Sequence, residues 1–399
     1  MSDETATRAA PPPADRPGTT GTDGTTPAPP AAHPRTARPL PARALLLLPG
    51  GLAMLAGLGG ALALLGLAPD LPGVLADEHG WLMTLGFLGT VIALERSVAL
   101  DRAWGYLAPA LLGAGGLTLL AGRAEGRLLL AAGAVALAVT YLPLWRRTRD
   151  DAVLVQLLGA VLAAGAAILG ARGIGMEVLH LWLAVFVVAT IGGERLELAR
   201  VAMPRSAGRV LVGLVGALAA ACAVALLWPA VGFPLAGAAT LGLTGWLAVH
   251  DVARRMVRRP GQPRFMAAAM LAGFAWLAVA GAIWLLGPPA DAAYDAVIHC
   301  VFVGFALSMV MAHASVILPA VVRRPLPYHR AMWVPAGLLH LGLLARVWLG
   351  DGMGLTVVHR IGSTATVVAL LGFVLVAVVA ALTTGRTTAP PRTSERTRP

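Results

Sequence analysis

Twelve apolar runs, each close to the ~20 residues that a helix needs to cross a hydrocarbon core ~30 Å thick, constrain this chain more than any motif in it. They fall at roughly 43–66, 79–98, 104–122, 128–145, 152–171, 176–193, 209–228, 230–249, 265–287, 294–321, 331–349 and 354–382. A 399-residue chain that is 57% hydrophobic and only 13% charged has more apolar surface than a water-soluble domain can bury. Lipid is therefore its expected solvent. The expected fold is all-α and integral to the membrane, with about twelve transmembrane helices over residues 42–383. Residues 1–41 are dense in Pro, Ala, Thr and Gly and read as a disordered cytoplasmic tail, and 384–399 read as a basic cytoplasmic tail. The first apolar run begins only near Leu45, too far from the start for a signal peptide.

The net charge of +11 comes from 31 basic residues, all arginine. In a water-soluble protein that excess suggests a nucleic-acid partner. Its placement here gives another answer. With the first loop outside, only Arg123, Arg127, Arg172, Arg346 and Arg360 lie on the outer side, along with Asp70, Asp77, Glu78, Asp291, Asp295 and Asp351. The other arginines, including Arg146, Arg147, Arg149 and the cluster from Arg254 to Arg264, fall in cytoplasmic segments. The positive-inside rule then puts both termini in the cytoplasm and the protein in the inner (plasma) membrane, with lipid as partner and no nucleic acid. Cys222 and Cys300 both lie inside apolar runs, which removes a disulfide framework and a CxxC metal site.

The second and sixth runs are alike. His79-Gly-Trp-Leu-Met leads to Thr90 and Glu95-Arg96, and His180-Leu-Trp-Leu-Ala leads to Thr190 and Glu194-Arg195. A more degenerate copy begins at His299-Cys-Val-Phe-Val-Gly in the tenth run, with His313 at the offset that Glu194 has from His180. Matching runs 2, 6 and 10 predict three four-helix repeats around a pseudo-threefold axis.

His79, His180, His299 and His359 all fall near the outer starts of their helices, at one depth. Ionisable residues inside a membrane usually face the bundle interior, so four imidazoles at one level are candidate metal ligands, although a histidine at a helix end is also an ordinary interfacial hydrogen bonder. His340 lies near the middle of run 11 and requires a partner. His313 lies 14 residues beyond His299, ~21 Å along a helix, too far to share its metal. It serves either a proton path or the inner helix end. On a helical wheel the His79 face carries Met83, Gly86, Thr90 and Ser97, which suits either a flat macrocycle or close helix packing. Glu95, Arg96, Glu194, Arg195 and Glu197 gather at the inner ends of runs 2 and 6, as structural ion pairs or as an inner proton entry. Arg346 and Arg360 oppose the charge bias beside the histidine layer, so an anion is expected to hold them, with haem propionates and Asp351 as the two candidates. His33, His250 and His329 lie in the tail or in basic loops and are assigned no site. A Walker A lysine motif, GxSxG, HExxH and CxxCH are all lacking, which argues against ATP-driven chemistry and covalent haem.

Twelve helices in three fours, with histidines at the outer ends of helices 2 and 10, resemble the catalytic subunit of haem-copper oxidases and nitric oxide reductases. The chain more closely resembles the NnrS family of haem- and copper-containing membrane proteins associated with nitric oxide metabolism. The segments that carry the likeness are His79-Gly-Trp-Leu-Met-Thr-Leu-Gly-Phe, His299-Cys-Val-Phe-Val-Gly-Phe-Ala-Leu-Ser-Met and His340-Leu-Gly-Leu-Leu-Ala-Arg346-Val-Trp-Leu-Gly. The resemblance implies haem b with His79 and His299 as axial ligands, Arg346 and Arg360 on its propionates, and nitric oxide as a gaseous ligand. It also implies copper, with His180 supplemented by His340 and His359. The chain departs from the oxidases in lacking the vicinal His-His of helix 7 and the closely spaced histidines of helix 10, which puts a full haem-copper centre in doubt. A twelve-helix secondary transporter and a non-catalytic sensor or assembly factor are the competing readings, and enzymatic activity is left open.

Overall fold

A computed structural model describes residues 42–323 and 326–383, so the tails expected at 1–41 and 384–399 lie outside the described residues. Among the described residues there is no β-strand, and twelve helices are long and apolar enough to cross a membrane. They are α1 (Ala42–Leu64), α2 (His79–Leu100), α3 (Ala103–Leu120), α4 (Glu125–Thr148), α5 (Asp151–Ala171) and α6 (Met176–Ala202). The second half comprises α7 (Ala207–Leu227), α8 (Pro229–His250), α9 (Gln262–Leu285), α10 (Asp291–Pro319), α11 (Arg330–Asp351) and α12 (Thr356–Thr383). The count equals the number of apolar runs. Some ends shift by a turn or less: α10 begins at Asp291, three residues before the apolar run.

Connections are short. Trp228 alone separates α7 from α8, and Pro229 opens α8 where its missing N–H costs nothing. Short connections make successive helices antiparallel, so α2, α6, α10 and α12 all start at one end of the bundle. At that end the turns after α1, α3, α5, α9 and α11 contain Gly66, Gly122, Gly173, Gly287 and Gly354, all at positive φ, where a side chain would be strained.

Burial separates the helices into inner and outer. Of the apolar window of α6, 78% is buried, against 61% for α2, α5 and α10 and 33% for α1, α7 and α12. The outer helices expose rows of leucine and valine, such as Leu48, Leu52 and Leu55 on α1 and Leu375, Val378 and Val379 on α12. In water such rows would be a liability; against acyl chains they are the expected surface.

The slender face of α2 is used for packing. A Cβ on Gly86 would lie 3.1 Å from the Cβ of Ala53 on α1 and 3.7 Å from the Cα of Gly116 on α3. Thr90 lies against Gly50, and the Ser97 hydroxyl donates to the carbonyl of Ala93 (2.6 Å) or Gly105 (2.7 Å). Of that face only Met83 is left to border open space. Three helices are locally widened into π-helical turns, at Leu82–Gly89 in α2, Cys300–Leu307 in α10 and Ala345–Asp351 in α11. Such turns break the regular hydrogen-bond ladder and recur at functional sites. Two of them follow His79 and His299 within three residues.

Candidate functional site: a histidine-lined cavity

A cavity of about 410 Å³ lies between the starts of α2, α6, α10 and α12 and the ends of α1 and α11. Its polar lining includes His79, His180, His299, His359 and Arg346. Four of the five histidines expected as ligands are therefore brought to one space. Most of the remaining wall is apolar, with Leu58, Met83, Leu88, Ile298, Phe302 and Leu307 prominent.

The imidazoles are held in different ways. The Nδ1–H of His79 donates to the carbonyl of Gly57 on α1 (2.6 Å), and Glu78, just before it, accepts from Arg127 of α4 (2.6 Å). The Nδ1–H of His299 donates to the carbonyl of Asp295 one turn back (2.8 Å), and that of His359 donates to the Asp351 carboxylate (2.9 Å). In these assignments the proton sits on Nδ1 and the Nε2 lone pair is left over. Among the described residues the Nε2 atoms of His79, His299 and His359 meet no hydrogen-bond partner. An Nδ1–H tied to an oxygen with a free Nε2 is how metal-binding histidines are commonly oriented. Asp295 and Arg346 line the same cavity as His79 and His299.

His180 is different. It is 1% exposed and enclosed by aromatic rings, with Phe233 stacked at 5.6 Å, Tyr294 edge-on at 5.1 Å and Trp284 at 6.2 Å between centroids. Its Nδ1–H donates to the carbonyl of Glu177 (3.0 Å), and its Nε2 accepts from the Trp284 indole (3.4 Å). Both nitrogens are thus engaged. His340 does not line the cavity; its Nδ1 accepts from the Trp276 indole (3.1 Å), which supplies the partner its mid-helix position requires.

Arg346 and Arg360 part company. Arg346 is 8% exposed and clamps Asp295 of α10 through Nε (3.0 Å) and Nη2 (2.8 Å to each oxygen), while its Nη1 donates to Ser363 of α12 (2.7 Å). The anion holding it is Asp295, not the nearer-in-sequence Asp351, and the pair ties α10, α11 and α12 together. Arg360 is exposed and makes one long contact to the carbonyl of Gly66 (3.4 Å). Asp351 turns to His359 instead, with its second oxygen buried and without a partner. Sequence reasoning gave Asp295 no role, yet it stands four residues before His299, one helical turn away on the same face.

At the opposite end of the bundle the charged residues form two buried networks. Arg96 donates to Glu95 (2.5 Å), Gln156 (3.0 Å) and Glu197 (3.4 Å), joining α2, α5 and α6. Arg195 donates to Asp251 from Nε (2.8 Å) and Nη2 (3.1 Å) and to the Nε2 of His313 (2.9 Å), joining α6, the end of α8 and α10. Ion pairs are thus present for Glu95, Arg96 and Glu197 as that reading has it, while Arg195 pairs with Asp251 instead and Glu194 makes no ion pair among the described residues; His313 caps Arg195 from α10. His250 donates to the carbonyl of Trp246 (2.9 Å) and stacks on its ring, and His329 accepts the N–H of Ala331 at the start of α11, both away from the cavity.

The cavity volume lies in the range of about 300 to 1,000 Å³ typical of cofactor and ligand sites. Free Nε2 atoms from two different helices and a largely apolar wall are the donor set that a bis-imidazole-ligated macrocycle would use. A triple of histidines close enough for one copper ion is not found among the described residues. A family model described as a domain of unknown function matches residues 43–382, the whole twelve-helix region. Neither the curated proteins nor the solved structures gave a match to this chain.

Proposed function

The chain belongs to the DUF8744 family, a domain of unknown function, and we propose from its site that it is a membrane haem protein of the NnrS-like kind, with His79 and His299 as axial ligands. The observation that carries the proposal is the pair of partner-free Nε2 atoms on α2 and α10, bordering one cavity and each followed by a π-helical turn. His79 is steadied through Gly57 and Arg127–Glu78, and His299 through Asp295 and Arg346. Apolar side chains from α1, α2 and α10 line much of the space between. A haem held by His79 and His299 would supply one-electron transfer. Arg346, satisfied by Asp295, would act on a bound haem through the field it shares with that carboxylate, whereas Arg360 is exposed and does not line the cavity. The cellular setting proposed from the resemblance is nitric oxide or respiratory metabolism in the inner membrane, with both termini cytoplasmic. The transporter reading is less well supported, because the polar lining gathers at one end of the bundle rather than at the midplane where transporters place their sites.

The test is an optical spectrum of the purified full-length protein with metal analysis. A Soret band with iron is expected, its loss in both His79→Ala and His299→Ala, and its retention in His250→Ala. A colourless, iron-free protein from haem-replete cells removes the proposal.

A further inference from the structure

The arrangement above leaves the Asp351 carboxylate incomplete. Its side chain is 8% exposed, one oxygen accepts from His359, and the other is buried with no partner. Oxygens of Asp295 and Asp351 and a ring nitrogen of His359 all lie within 4.8 Å of one another. From this convergence we infer that Asp295, Asp351 and His359 form a binding site for one first-row divalent cation at the edge of the cavity.

The chemistry of the donors supports this class of ligand. Two carboxylates and an imidazole form a hard-to-borderline set that suits manganese(II) or zinc rather than a soft, thiolate-bound metal. Arg346 occupies one side of Asp295, but each carboxylate oxygen has two acceptor positions, so a metal can share it. Two carboxylates beside a single guanidinium leave one excess negative charge next to a low-dielectric space, and a divalent ion offsets it. The backbone is shaped for the approach. Asp351 closes the π-helical turn of α11, and a Cβ on the preceding Gly350 would fall 2.7 Å from the Cβ and 2.8 Å from the Cα of His359. Only glycine there lets α12 bring His359 up to Asp351. An ion held by His359 Nδ1 takes the place of the proton now shared with Asp351, and the neutral ring carries that proton on Nε2 instead.

The site shares no ligand with the axial pair, although the Asp295 carbonyl also anchors His299, and the experiment reads the ion directly. Full-length protein in detergent, stripped with chelator, is titrated with MnCl2 while the free aqueous manganese signal is followed by electron paramagnetic resonance, and zinc is added as a competitor. One manganese per chain at micromolar affinity is expected, displaced by zinc, with affinity lowered about tenfold or more in Asp351→Asn and His359→Gln and unchanged in His250→Ala. Wild-type protein that leaves manganese and zinc free at millimolar concentration overturns the inference, whatever the variants do. So does an Asp351→Asn protein that binds as tightly as wild type. Neither readout depends on a Soret band, so loss of the haem proposal and loss of this one are separable.

Discussion

Arg195 and Arg360 show how far the surroundings of one arginine decide its worth. The Arg195 side chain is 4% exposed and its partner Asp251 is 0% exposed. Removing the guanidinium leaves a buried carboxylate without its counter-charge, a loss of about 3–5 kcal/mol in comparable pairs. Arg195→Ala is therefore expected to lower the thermal midpoint in detergent sharply, while Arg360→Ala, exposed and weakly bonded, should stay within about 0.5 kcal/mol of wild type. Equal melting curves for the two variants would contradict this account of the networks. The contrast also marks what was legible in advance. Arg346 and Arg360 read alike in the sequence, because both sit against the charge bias beside the histidines. What separates them is a carboxylate 51 residues away on another helix, and local sequence carries no signal for such a partner. That His340 needed a partner was legible from its depth; that the partner is Trp276 was not. The anchor of His79 is a backbone carbonyl, which leaves no side-chain trace at all.

At the scale of helices, small residues set the spacing on which the cavity depends. A Cβ on Gly60 of α1 would lie 2.1 Å from the backbone oxygen of Leu75, in the short helix Gly73–Asp77 that leads into His79. Backbone cannot yield as a side-chain end can. Gly60→Ala is expected to cost about 1–3 kcal/mol and to shift the entry to α2, whereas Gly51→Ala, with nothing within 4 Å, should be neutral or stabilising by up to about 1 kcal/mol. Thermal melts of the two variants check this, and a Gly60→Ala protein as stable as wild type would mean that α1 and the short helix pack otherwise. The twelve helices themselves were legible because a 20-residue apolar run is a one-dimensional signal. The π-helical turns were not, since Leu82–Gly89 and Cys300–Leu307 have the composition of any membrane helix and differ only in how their carbonyls pair. The histidine layer lies between: its depth followed from counting residues along the runs, but the capture of His180 by Phe233, Trp284 and Tyr294 rests on side chains from α8, α9 and α10.

For the whole molecule, the arginine distribution and the helix order make one joint statement. Residue 150 lies between α4 and α5, residue 260 between α8 and α9, and residue 290 between α9 and α10. Reporter fusions at 150 and 260 are expected to read cytoplasmic and one near 290 external, which puts the cavity on the outer side. If the fusions at 260 and 290 report the same side, α9 does not cross. The account's central claim is that α2 and α10 present two imidazoles to one haem across that cavity, and axial ligation is what tests it most directly. Near-infrared magnetic circular dichroism of the oxidised, purified protein distinguishes two imidazole ligands from one. The account predicts a bis-imidazole spectrum for wild type that is lost in both His79→Ala and His299→Ala. A haem with a single imidazole, or a bis-imidazole spectrum unchanged by either substitution, would contradict it.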